Sequence, residues 1–101
     1  MSRRIELNKI LSNIRGVRKV YFQPPETIRM EYPCIRYVID QDHNRRANNL
    51  LYSRRVRYTV TVMDKDPDSS IPDALRALPY SELDRFYAAD NLNHWVFSIY
   101  Y

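Results

Sequence analysis

One glycine, Gly16, serves a chain of 101 residues. Glycine supplies the positive-φ turns and close backbone approaches that phosphate-cradling loops are built from. A P-loop or a dinucleotide-binding fingerprint needs several glycines at fixed spacing, so both are excluded. The glycine also marks a boundary. Leu7, Ile10, Leu11 and Ile14 recur at the i, i+3, i+4, i+7 spacing of one helical face. The pattern predicts a helix from Ser2 to Arg15, with Ser2 as N-cap. Gly16 falls where a left-handed C-terminal residue is needed, and Arg15 suits the negative end of the helix dipole.

Beyond Gly16 the hydrophobic period changes. Lys19 to Phe22 reads as a short strand ended by Gln23-Pro24-Pro25, because proline cannot donate to a ladder. Residues 26–32 have no clear period. From Pro33 to Asp40, Ile35, Tyr37 and Ile39 alternate with Cys34, Arg36 and Val38, which is a strand. Gln41 to Asn49 is polar and reads as a loop. Tyr52 to Met63 carries the clearest alternation: Val56, Tyr58, Val60 and Val62 on one face, Arg55, Arg57, Thr59 and Thr61 on the other. Asp64 to Ser69 reads as a turn. Ser70 then opens a second helix with Asp73 as a capping-box partner, a stripe of Ile71, Ala74, Leu75 and Leu78, and a stop at Pro79. Leu83 to Ala89 and Trp95 to Tyr101 read as two strands joined by a hairpin loop over Asp90, Asn91, Leu92 and Asn93.

The expected fold is a single α+β domain over residues 1–101, of element order α-β-β-β-α-β-β. Two helices would pack on one face of a mostly antiparallel sheet, because every helix and long strand has one apolar face to bury. The opposite sheet face would be polar. A domain of this size buries about 60–70% of the surface its unfolded chain exposes, so its margin is small and oligomerisation would help it.

No combination of residues assembles a catalytic site. His43 and His94 are the only histidines, and neither has a nucleophile and a carboxylate arranged around it in sequence. Asp40, Asp42 and His43 lie in or beside a hydrophilic loop, and metal sites need three or four converging ligands. Asp64-Lys65-Asp66-Pro67-Asp68 opens like a calcium loop. Ser69 stands where that loop needs glycine and Leu75 where it needs a bidentate glutamate, so the match fails. Cys34, the single cysteine, alternates within a strand and is read as a packed residue with no disulfide partner, as suits a reducing cytoplasm. Glu82, Asp84 and Asp90 are read as surface charges. The expected protein is not an enzyme and uses no cofactor or metal. It has no signal peptide, no apolar run of membrane length and no membrane partner.

The net charge of +4 permits contact with nucleic acid or an acidic partner. Basic residues gather at Arg3-Arg4, at Arg15, Arg18 and Lys19, and at Arg45-Arg46 with Arg54, Arg55 and Arg57. Charge of this kind binds DNA without reading its sequence. The nine tyrosines combine apolar area with a polar tip and suit contact surfaces. The run Ile99-Tyr100-Tyr101 would expose apolar area unless something covers it.

Three stretches together resemble a known family. They are Tyr21-Phe22-Gln23-Pro24-Pro25 with Tyr32-Pro33-Cys34-Ile35, then Tyr58-Thr59-Val60-Thr61-Val62 running through Asp64-Lys65-Asp66-Pro67-Asp68-Ser69 to Ile71-Pro72, then Ala89-Asp90-Asn91-Leu92-Asn93-His94. In this order they resemble the small tail-terminator or minor head–tail joining proteins of siphophages infecting Gram-positive bacteria. The resemblance implies a virion protein assembled in the host cytoplasm, forming a hexameric ring at the head-proximal end of the tail. That ring would stop tail-tube growth and present a surface to the head. Its partners would be further copies of itself, the tail tube protein, a head-completion or stopper protein, and the genome passing through the centre. A head–tail adaptor is the neighbouring reading, and a small basic nucleic-acid-binding module a more distant one. Candidate contacts with subunits, tail or DNA are Arg45, Arg46, Arg54, Arg55, Arg57, Tyr100 and Tyr101.

Overall fold

A computed structural model describes residues 3–40 and 56–101. The expected Ser2 cap, the loop Gln41 to Asn49 and the start of the strand at Tyr52 lie outside the described residues.

Helix α1 spans Arg3–Ser12 and buries Leu7 and Leu11 completely. It is shorter than the pattern predicts. Its last turn tightens, with Asn13 N–H donating to both Lys9 O and Ile10 O, and Ile14 N–H donating to Leu11 O. Gly16 therefore sits in the turn after the helix, not next to its last residue. Its φ of +97° is what selects glycine there. A Cβ would meet the Ile71 side chain at an ordinary 3.7 Å, so space does not.

Strand β1 (Lys19–Phe22) is followed by β2 (Cys34–Ile39) and β3 (Arg57–Asp64). The sheet is mixed, which corrects the mostly antiparallel sheet expected from the sequence. β2 runs parallel to β1, with Lys19 beside Cys34 and Phe22 beside Tyr37. The physical reason is the connection over residues 23–33, which is long enough to carry the chain back to the starting end of β1, where Arg18 N–H bonds Pro33 O at 2.9 Å. Gln23 begins that return at φ +44°, and its side-chain oxygen accepts from Ile39 N–H.

The acidic stretch after β3 makes two Asx turns: Asp64 Oδ1 accepts from Asp66 N–H at 3.0 Å and Asp66 Oδ1 from Asp68 N–H at 2.9 Å. Helix α2 (Ile71–Arg76) follows. The capping box does not form: Ser70 makes no side-chain cap bond, and the Ser69 hydroxyl accepts from Ile71 N–H instead. Asp73 pairs with Arg76 at 2.9 Å on the exposed side. Past Pro79, Tyr80 turns the chain at φ +59°, and the Ser81 hydroxyl donates to the helix-end carbonyls of Leu75 and Leu78.

β4 (Ser81–Ala89) and β5 (Leu92–Tyr100) are both longer than expected. The hairpin loop is two residues, not four. Asp90 and Asn91 both hold positive φ, +56° and +62°, which is the type I′ turn that matches strand twist. The sheet order is β1-β2-β3-β5-β4, and the last three pairings are antiparallel.

The register stacks the core in rows. Ile35, Val62 and Trp95 lie side by side, as do Tyr37, Val60 and Phe97, and Ile39, Tyr58 and Ile99. One buried cluster joins most of these to Leu7 and Leu11 of α1 and Ile71 and Leu75 of α2. Each fully buried large side chain contributes about 1.5–3 kcal/mol. Ile39 falls at the rim and stays 43% exposed. The opposite sheet face is not polar throughout. At one end Tyr21, Cys34, Met63 and Leu92 form a second buried cluster, because Met30 and Tyr32 from the β1–β2 connection fold over them.

Candidate functional site

At the other end of that second face lies a polar network. Ser98, 2% exposed, sits at its centre on β5. Its hydroxyl donates to Asp84 Oδ2 at 2.6 Å and accepts from Arg57 Nη2 at 2.9 Å and Nε at 3.3 Å. Arg57 also approaches Asp40 at 3.8 Å and Asp84 at 4.0 Å, and Asp40 accepts from the Thr59 hydroxyl at 3.1 Å. One cation serves two carboxylates here, in a half-buried setting where charge-assisted bonds are stronger than at the surface. The network ties β3, β5 and β4 together.

Of the residues proposed from the sequence as contacts, Arg45, Arg46, Arg54 and Arg55 lie outside the described residues. Arg57 faces inward, with its side chain 20% exposed in the network just described. Tyr100 continues β5 and bonds Tyr80 O through its amide. Tyr101 is half-buried and held by α1: its hydroxyl donates to Glu6 Oε1 at 3.2 Å, the Arg3 guanidinium lies 4.4 Å over its ring, and Arg3 Nε donates to its carbonyl at 2.8 Å. The apolar run at Ile99 is covered as well, since Ile99 is 1% exposed. The structure thus brings Arg57 and Tyr100 to one end of the sheet, with Tyr101 just past it, and ties all three into the fold.

What the sequence reading missed lies on β4. This strand is at the edge of the sheet, and no described residue pairs with its outer side. It is nine residues long, contains no proline and is exposed along most of its length. Phe86 is 50% exposed and Tyr87 40%. Phe86 leans on Trp95 with ring centroids 5.2 Å apart. Tyr87 stacks flat on His94 at 4.5 Å, and Arg85 lies 5.4 Å from the Tyr87 ring on its own strand. His94 Nδ1 is buried with no hydrogen-bond partner among the described residues. A long, exposed edge carrying aromatics is a template for pairing with another chain. Phe86 and Tyr87 are adjacent in the strand and point to opposite faces of the sheet. β1, the other edge, is blunted. It has four residues, Pro24-Pro25 follow it, and Arg4 covers Phe22 at 4.4 Å.

An open depression of about 530 Å³ lies between Arg18, Glu31, Tyr32, Asp64 and Lys65. Arg18 and Glu31 pair with each other across it at 3.4 Å, both well exposed, and a pair of that kind contributes little. Among the described residues no three His, Cys, Asp or Glu side chains gather as metal ligands, and no helix is long and apolar enough to cross a membrane. Of the three carboxylates read as surface charges, Glu82 is exposed on β4, Asp84 instead joins the polar network through Ser98, and Asp90 sits in the β4–β5 turn. Comparison with known proteins finds no family model, no curated protein and no solved structure that matches the chain.

Proposed function

We propose that this chain is a structural subunit that works by assembling with other chains, as a ring at the head-proximal end of a siphophage tail that ends tube growth and receives the head. The observation that carries the assembly reading is β4, a nine-residue edge with exposed Phe86 and Tyr87 and no described partner on its outer side. The resemblance of the three stretches across the chain directs that assembly to the phage tail. In this reading both helices lie on the sheet face of Ile35, Val62 and Trp95, since Leu7, Leu11, Ile71 and Leu75 share one cluster with those residues. The exposed β4 edge is then the surface offered to partners. Arg57 favours assembly over nucleic-acid binding, because its guanidinium is turned to Asp40, Asp84 and Ser98.

Electron microscopy of phage lysates carrying a nonsense mutation in this gene tests the reading. Overlong tails without heads are expected. Tails of normal length beside detached, filled heads would move the chain to the joining step as an adaptor. Intact phage of normal form would overturn the assignment.

A further inference from the structure

We propose that the free protein covers its β4 edge with the β4 of a second copy, in one antiparallel register set by the bulge in that strand. This rests on the reading of β4 as an assembly surface and names its first occupant.

The bulge lies between Leu83 and Arg85. Leu83 stands opposite Phe97 and Phe86 opposite Trp95, so both lie on the core side of the sheet. Glu82 is opposite Ser98, Arg85 opposite Val96 and Tyr87 opposite His94, on the other side. Asp84 is the extra residue, and its carboxylate reaches the Ser98 hydroxyl, so it joins that second side. Two consecutive residues, Asp84 and Arg85, therefore share a face, and the alternation reverses across them.

That reversal decides how β4 can meet itself. In an antiparallel pair, residues directly opposite each other lie on the same face. A regular strand satisfies this in many self-pairing registers. A strand whose alternation reverses satisfies it on both sides of the bulge in one register only, centred on the bulge. There Leu83 meets Phe86 of the second copy, Asp84 meets Arg85, and Glu82 meets Tyr87, each twice by symmetry. The core side gains an apolar pair. The other side gains opposite charges at the centre. The half-exposed Phe86 ring is covered, and the outward amides of β4 find partners. β1 is no rival occupant: four residues cannot satisfy nine, and Arg4 and Pro24-Pro25 blunt that edge. A twofold contact closes on itself and cannot be the repeating contact of a cyclic ring. The pair is thus a form of the protein outside the ring, and β4 must be released before a subunit enters it.

Light scattering and oxidative cross-linking of the full chain test this. Wild-type protein is expected at twice the 12.2 kDa chain mass. Glu82→Cys and Tyr87→Cys are both exposed positions, and native Cys34 is buried and silent. Opposite positions place Cβ atoms about 4.5–5.5 Å apart, within reach of a disulfide after small adjustment. Two copies of the same position would stand about 16 Å apart along the strand. A mixture of the two variants is expected to cross-link, and neither variant alone. A wild-type mass of one chain, a variant that cross-links with itself, or a mixture that does not cross-link would each overturn the proposal. None of these bears on tail length in the nonsense phage, so the edge pairing and the phage role fail separately.

Discussion

Cys34 is enclosed on the second face of the sheet by Tyr21, Met63, Met30 and Tyr32. Burial first, and the charge of Asp64 second, push its thiol up to about 11 from an ordinary value of 9.0. The thiolate is the reactive form, so the native thiol is expected to resist alkylation at pH 8 and to react at once when urea unfolds the chain. The same shift links stability to pH. The folded state holds the proton more tightly than the unfolded state. The contribution of Cys34 is therefore complete below about pH 9 and is lost as pH rises toward 11. Urea midpoints measured from pH 8 to 11 should fall faster for wild type than for Cys34→Ala. Parallel curves would mean that Cys34 is not the group responsible. That Cys34 is packed was legible in its place within an alternating strand. The second cluster around it was not, because residues 26–32 carry no period that shows where they fold.

Scarcity of glycine reappears at the level of the elements. Among the described residues four that are not glycine, Gln23, Tyr80, Asp90 and Asn91, hold positive φ. Left-handed backbone costs an ordinary L residue roughly 1–2 kcal/mol, and Asn and Asp tolerate it best. Asn91→Val in the β4–β5 turn should therefore lower stability by about 1–2 kcal/mol, while Asn91→Gly holds or raises it. Thermal unfolding followed by circular dichroism ranks the variants, and a neutral Asn91→Val would show that the turn adopts another form. The elements were legible wherever a period ran long enough: α1 from its leucine and isoleucine stripe, β3 from Val56 to Val62. Strand direction was not. Alternation reports that a segment is extended and which residues share a face, and it says nothing about whether β1 and β2 run parallel. The bulge in β4 was hidden for a related reason. Glu82, Asp84 and Arg85 carry no apolar signal by which a change of face could be noticed.

For the molecule as a whole, exposure is decided by where an element lies in the sheet as much as by residue type. Arg57 and Tyr101 attract attention as charge and aromatic area, yet each is tied into the fold by partners distant in sequence, Asp84 and Ser98 for one, Glu6 and Arg3 for the other. Phe86 and Tyr87 look like ordinary strand residues and are left outside because β4 ends the sheet. Edge position is a property of topology, which no local pattern carries. It has a thermodynamic consequence. If the paired edge contributes to the folded state, unfolding is coupled to dissociation, and the melting temperature depends on protein concentration. A tenfold rise in concentration supplies about 1.4 kcal/mol per pair, which for a unit of this size corresponds to roughly 3–6 °C. Phe86→Lys puts a charge on the exposed edge, a substitution that disfavours strand pairing while leaving the core side of β5 in place. Its melting temperature should be independent of concentration, with a circular dichroism spectrum matching that of wild type. Wild type should rise with concentration and converge on the variant at high dilution. A wild-type melting temperature already flat across the range would place the stability of the fold within one chain.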